Sequence, residues 1–239
     1  MGALFNLKDY TAVELGLYAF GAYLWVVAYL IYIRNGFKYH VVEMPAFALA
    51  GNIGWELNWA LFFTTDLGPL CVWAHKAWFF LDVVIFYLLL RHGWKQTELR
   101  LLQRLWVPIC CALFMCSAAF YGTFVRQGLD VGSTIQSAYI CQLPISFLYI
   151  PLMLRQQSLR GWSMWAAWTR TLGTGVIGVF AFLRYPNLPF LLTMAVISTL
   201  VDFGYIYLFA QRRRELAMTD PAVAPAARIS LNEAQGQPG

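Results

Sequence analysis

Apolar residues along this chain come in long unbroken runs separated by short polar links, and the runs have the length of a membrane crossing. Seven stretches stand out: Val13–Ile33, Met44–Phe63, Cys71–Leu90, Leu105–Phe124, Ile135–Leu154, Ser163–Leu183 and Pro189–Ala210. Each can traverse a hydrocarbon core of about 30 Å at about 1.5 Å per residue. The pattern predicts an all-α membrane protein, a seven-transmembrane-helix bundle over residues 13–210. A surface segment, 1–12, precedes it, and a basic and then disordered cytoplasmic tail, 211–239, follows; from Glu215 on, the Ala/Pro/Gln/Gly-rich sequence has too little apolar content to fold alone. The first run is too long for a signal-peptide core and lacks a basic leader or a small-residue cleavage site, so it is expected to remain. Short links make consecutive helices antiparallel and leave no room for a soluble catalytic domain. Any chemistry belongs between the helices.

Composition agrees: of 239 residues 60% are apolar and 12% charged, about half the charged share of a soluble domain. Basic residues set the orientation. Arg34, Lys38, Arg91, Lys95, Arg100, Arg104, Arg155, Arg160, Arg212, Arg213, Arg214 and Arg228 fall in links one, three and five and the tail, against Lys8, Arg126 and Arg184 on the other face. Positive links stay cytoplasmic, so the N-terminus is expected outside and the C-terminus inside. The net charge of +5 is then a matter of topology, and no nucleic-acid partner is implied. Cys71, Cys110, Cys111, Cys116 and Cys141 lack metal-ligand spacing and read as small buried hydrophobes. His40, His75 and His92 are scattered and form no paired-histidine box.

Three acids interrupt the runs. Glu56 has no basic residue within Met44–Phe63, and an ionisable group at bilayer depth is a functional-site candidate by default because it is expensive to keep there. Counted from the cytoplasmic ends, Asp82 and Asp202 lie about 12 Å deep and Glu56 about 18 Å, so all three are expected near mid-membrane. Residues three and four apart share a helix face. Asn52, Glu56 and Trp59 align in the second helix, His75, Trp78, Asp82 and Phe86 in the third, and Ser198, Thr199, Asp202 and Tyr205 in the seventh. The plainer reading is that such acids hydrogen-bond across helices and only fix the packing. Arg170 lies at nearly the depth of the aspartates, but beside Trp162, Trp165 and Trp168 it is expected to snorkel to the interface, with pairing to an aspartate as the alternative.

Asn52-Ile-Gly-Trp55-Glu56 in the second helix, preceded by Met44-Pro45, together with Asp202 in the seventh, resembles the integral-membrane terpene cyclases of fungal meroterpenoid and indole-diterpene pathways and their bacterial relatives acting on prenylated indoles. The resemblance covers essentially the whole chain, and Asn-x-x-Trp-Glu is its most specific part. It implies that Glu56 and Asp202 are the catalytic pair; spacing does not decide which of them donates. From the residues themselves, Asn52, Tyr205 and Asp82 are expected to position the pair, and Trp55, Trp59 and Trp78, deep in the helices and next to acids, to form an aromatic wall. The implied substrate is a small prenylated molecule with an aromatic or indole-type head group, entering from the lipid after an upstream prenyltransferase or epoxidase. The implied site is a cell membrane in a bacterium, or the endoplasmic reticulum in a fungus.

The chemistry is coherent from the residues upward. Proton-initiated, class II-like cyclisation needs a neutral carboxylic acid, a pocket that folds the chain, and exclusion of water. Aromatic faces stabilise the cations that result, and a desolvated acid keeps its proton. The chain has neither Asp-Asp-x-x-Asp nor Asp-x-Asp-Asp, so neither a metal nor another cofactor is expected. Retinal binding is disfavoured, since Lys76 is the only lysine inside a helix and lies near the end of the third. A small proton-coupled transporter is the rival reading. Asp82–Leu88 and Asp202–Leu208 share Asp-x-x-x-x-Tyr-Leu, a hint of a parallel repeat.

Overall fold

A computed structural model describes residues 4–219, and among these there is no strand. Helices form wherever the apolar runs predict them. They are α1 (Ala12–Tyr39), α2 (Ala46–Leu57), α3 (Pro69–His92), the short α4 (Arg100–Arg104) in the third link, α5 (Trp106–Arg126), α6 (Ile135–Leu154), α7 (Met164–Arg184) and α8 (Pro189–Thr219). All but α2 and α4 are long and apolar enough to cross a bilayer. The second run is different: twelve α-helical residues pass into a five-residue π-helical turn, Asn58–Phe62. A π turn widens the helix and frees local backbone groups, and the side-chain amide of Asn58 bridges one carbonyl of its own helix to one on α5. It donates to the carbonyls of Gly54 (2.8 Å) and of Ala118 on α5 (2.9 Å).

Local chemistry sets the ends. At the start of α1 the Thr11 hydroxyl accepts from Glu14 N–H, and the Glu14 carboxylate accepts from Thr11 N–H at 2.7 Å, a reciprocal cap. Gly68, at φ 114°, turns the chain into α3, and a Cβ there would lie 2.8 Å from the Leu4 carbonyl oxygen. Only glycine satisfies both demands. The last helix runs beyond Ala210, because Gln211–Met218 has few helix breakers and Arg212 donates to the Gln156 carbonyl at 3.1 Å. Of the tail expected to be disordered, residues 220–239 lie outside the described residues.

The helices close a ring in the order α1, α7, α8, α6, α2, α3 and back to α1, while α5 stands outside it against α2. Small residues permit the closest crossings. A Cβ on Gly21 would meet the Gly173 carbonyl oxygen at 2.8 Å, and one on Gly173 would meet the Gly21 oxygen at 2.9 Å. Gly54 lets α2 approach α5 to the same degree, with Ser117 Oγ 2.6 Å from where its Cβ would be. Membrane helices associate through such close approach, since the lipid supplies no hydrophobic drive. Of the cysteines, Cys71, Cys110 and Cys141 are buried as expected, whereas Cys111 and Cys116 are exposed on α5.

At one end of the bundle Glu43, in the link between α1 and α2, is buried. Its carboxylate accepts from the Asn35 amide (3.1 Å) and the Ser163 backbone N–H (3.2 Å), joining three segments. Burial pushes its carboxyl up to about 8, against the opposing pull of those hydrogen bonds. A raised carboxyl pKa means the folded state holds the proton more tightly than the unfolded state. Its contribution is therefore complete below the ordinary glutamate range and lost as pH rises toward 8. Melting temperature in detergent should fall between about pH 5 and pH 8, and Glu43→Gln should flatten that slope. An unchanged slope in the variant would assign the effect to other groups.

Candidate active site

Inside the ring lies a cavity with about 620 Å³ of space free of protein atoms, its mouth included. Tyr18, Trp25 and Tyr29 face it from α1, Asn52, Trp55 and Glu56 from α2, and Trp78 from α3. Ile135, Tyr139, Cys141, Gln142 and Ile145 are among those contributed by α6, and Thr174 and Ile177 come from α7. The wall is apolar and aromatic with a few polar groups, as small-molecule sites generally are. Glu56 is the one carboxyl among these lining residues.

Asn52, Trp55 and Glu56 all reach the cavity because positions three and four apart share one face of α2. Asn52 is the junction. Its amide donates to the Asp82 carboxylate (2.5 Å) and to the Tyr29 hydroxyl (2.5 Å), while its oxygen accepts from the Cys141 thiol (3.7 Å). Four helices thus meet at one amide. Asp82 is fully buried behind Asn52 and does not line the cavity. Trp55 donates its indole N–H to the Ser137 hydroxyl at 2.6 Å, and Ser137 is in turn hydrogen-bonded to Asp130 in the link before α6. Burial raises the Asp130 carboxyl, and its hydrogen bonds oppose that rise.

Glu56 Oε2 lies 3.6 Å from His75 Nδ1, and both side chains are almost completely enclosed. The indoles of Trp55, Trp59 and Trp78 surround that imidazole with ring centroids at 5.4, 6.3 and 5.5 Å. Trp59 is buried beside the cavity rather than on its wall.

Asp202 and Tyr205 form a second cluster. Arg170 Nη1 is 3.0 Å from Asp202 Oδ1, and neither side chain is exposed. The guanidinium lies over the rings of Tyr149 (4.2 Å) and Tyr205 (5.2 Å). This corrects the expectation that Arg170 snorkels. Trp165 and Trp168 are exposed toward the surroundings, but Arg170 lies about 200° around the helix from Trp168 at about 100° per residue, so it faces inward where an acid and two aromatic faces replace water. Among the described residues no hydrogen bond or ion pair joins Glu56 to Asp202. The link between the clusters is Gln142, which lines the cavity and donates to Asp202 Oδ2 at 3.4 Å.

The sequence matches the family of Pyr4-like transmembrane terpene cyclases over residues 5–215. The chain belongs to this family. It is 29% identical over 217 residues to terpene cyclase macJ of Penicillium terrestre, covering 82% of this chain and 81% of the relative. It is 27% identical over 232 residues to terpene cyclase ascF of Acremonium egyptiacum (84% and 83%) and 25% identical over 224 residues to terpene cyclase paxB of Penicillium paxilli (84% and 87%). No solved structure matches. Family membership favours an enzyme over a transporter and makes the chain a multi-pass membrane terpene cyclase.

Sequence reasoning left three polar residues of this cyclase's interior without a role: His75, Gln142 and Tyr29. Their signal was present in outline, since His75 shares a face with Trp78 and Asp82, but spacing within one helix does not tell which neighbouring helix its side chain meets. Removing one partner of a buried ion pair leaves an uncompensated charge. Arg170→Met should therefore destabilise the cyclase by about 3–5 kcal/mol, read as a lower melting temperature in detergent, and adding Asp202→Asn to it should recover part of the loss. No recovery in the double variant would show that the pair is not coupled.

Proposed function

We propose that this cyclase closes rings by protonating the prenyl chain of a substrate whose head group is aromatic or indole-type. The Glu56 carboxylic acid gives its proton to a terminal alkene or epoxide, the carbocation is attacked by successive double bonds, and loss of a C–H proton ends the cascade. The product is an isomer of the substrate. The observation that carries this reading is that Glu56 borders a cavity otherwise walled largely by aromatic and apolar side chains, including Trp25, Tyr29, Trp55 and Trp78. Their π faces stabilise cations, the more so without water, and a dry enclosure keeps an acid loaded and protects the intermediates.

Asp202 is the second carboxyl of the pair and acts from behind the wall through Gln142. Asn52, Asp82, Trp59 and Tyr205 hold the arrangement. Protonation of an alkene or epoxide requires no metal, which agrees with the absence of Asp-Asp-x-x-Asp from the chain. The substrate enters from the lipid and is supplied by a prenyltransferase, followed by an epoxidase where initiation is at an epoxide. The chain crosses seven times on this reading, with α2 and its π turn as the shortest crossing, and has its N-terminus outside and its C-terminus in the cytoplasm, a reading supported by the distribution of lysine and arginine.

The decisive experiment supplies farnesylated and geranylgeranylated indoles and phenols, with and without terminal epoxides, to membranes containing the protein, and looks for new isomers of unchanged mass. Glu56→Gln should lose at least about 100-fold of product formation while remaining folded and inserted, and Asp202→Asn, which leaves Arg170 unpaired and lowers the melting temperature, should lose as much per folded molecule. Wild-type turnover by both purified variants would remove these carboxyls from the mechanism. For the topology, green fluorescent protein fused to the C-terminus should fluoresce in a bacterial host and alkaline phosphatase at the same point should stay inactive. The reverse pattern would invert the orientation.

A further inference from the structure

His75 sits on α3 directly behind Glu56 and is turned away from the cavity, yet its surroundings are unusual for a residue that only fills space. Neither ring nitrogen has a hydrogen-bond partner, and the same is true of Glu56 Oε2, 3.6 Å away. A buried polar atom left unpaired costs free energy. Two of these atoms, Nδ1 and Oε2, face one another across a gap that a small side-chain rotation closes, and catalytic hydrogen bonds commonly tighten only when substrate is bound.

The remaining unpaired groups around the imidazole are donors. The indole N–H groups of Trp59 and Trp78 have no acceptor, and both rings pack against His75. A neutral imidazole matches these surroundings in one tautomer, with Nε2 as the acceptor on the indole side and Nδ1–H as the donor toward Glu56. Which nitrogen carries the proton is fixed by the bond the other one makes. We propose that His75 is a positioning residue for the acid, its Nδ1–H donating to Glu56 Oε2. That bond makes Oε2 the carbonyl oxygen of the acid and leaves the proton on Oε1, on the cavity side where the substrate lies. When the proton leaves for the substrate, negative charge develops on the carboxyl, and the same N–H stabilises it without reorganisation, as donors aimed at developing charge do.

The inference rests on Glu56 being the proton donor, and the test keeps the two claims apart. In purified cyclase, His75→Phe keeps the ring shape and removes the donor. His75→Asn keeps a donor close to the position of Nδ1. His75→Phe should lower kcat at least about 100-fold with KM within about two-fold, and His75→Asn should regain at least about 10-fold of that loss. Infrared difference spectra against Glu56→Gln identify the Glu56 carbonyl stretch without any substrate, and this band should move to higher wavenumber in His75→Phe and return in His75→Asn. Wild-type kcat in folded His75→Phe, an Asn variant as inactive as Phe, or a band indifferent to residue 75 would each overturn the proposal. Full activity in Glu56→Gln would instead overturn the assignment of the acid, and the infrared shift would then still report the hydrogen bond.

Discussion

The bilayer interior offers no solvent to a polar atom, so every ionisable group carried into it must find its partner on another helix. In this protein that requirement works beside close glycine packing and fixes how several of the helices are turned toward one another. Asp82 on α3 is joined through Asn52 on α2 to Tyr29 on α1 and Cys141 on α6. Asp202 on α8 is joined to Arg170 on α7 and Gln142 on α6. Lipid-facing side chains would pack acceptably in many arrangements, whereas these groups accept very few.

The same requirement separates the two carboxyls of the cyclase into different environments. Glu56 borders open space with an imidazole behind it, while Asp202 faces a cation and is screened from that space by an amide. Two carboxyls of the same kind thereby meet different neighbours, one an imidazole and open space, the other a guanidinium. Aromatic residues serve both clusters in different ways. The indoles of Trp55, Trp59 and Trp78 enclose a neutral ring, and the phenols of Tyr149 and Tyr205 lie against a guanidinium.

Much of the fold was legible in the sequence because hydropathy period and run length are local properties. The runs at Ile135–Leu154 and Cys71–Leu90 coincide closely with α6 and α3. The motif Asn52-x-x-Trp55-Glu56 was legible too, since one helical turn places those residues on a shared face. What remained hidden depended on the rotation of one helix against another. Arg170 was misjudged because depth along α7 was readable and direction around it was not. His75 was passed over because an isolated histidine has no meaning until α2 is packed against α3. The π turn at Asn58–Phe62 was equally invisible, since it is stabilised by the Ala118 carbonyl of α5, some 60 residues away.

The reciprocal contact of Gly21 and Gly173 has a bearing on the shape of the cavity. Where α1 meets α7 each glycine lies against the other's carbonyl oxygen, with the side chains of Ile177 and Trp25 packed against the same crossing, and these two side chains also line the cavity. Any side chain beyond hydrogen at either glycine would prise the two helices apart, so that edge of the mould resists change. Enlargement for a longer guest is simpler on the α6 side, where shortening Ile135 or Ile145, which line the same space, needs no helix to move.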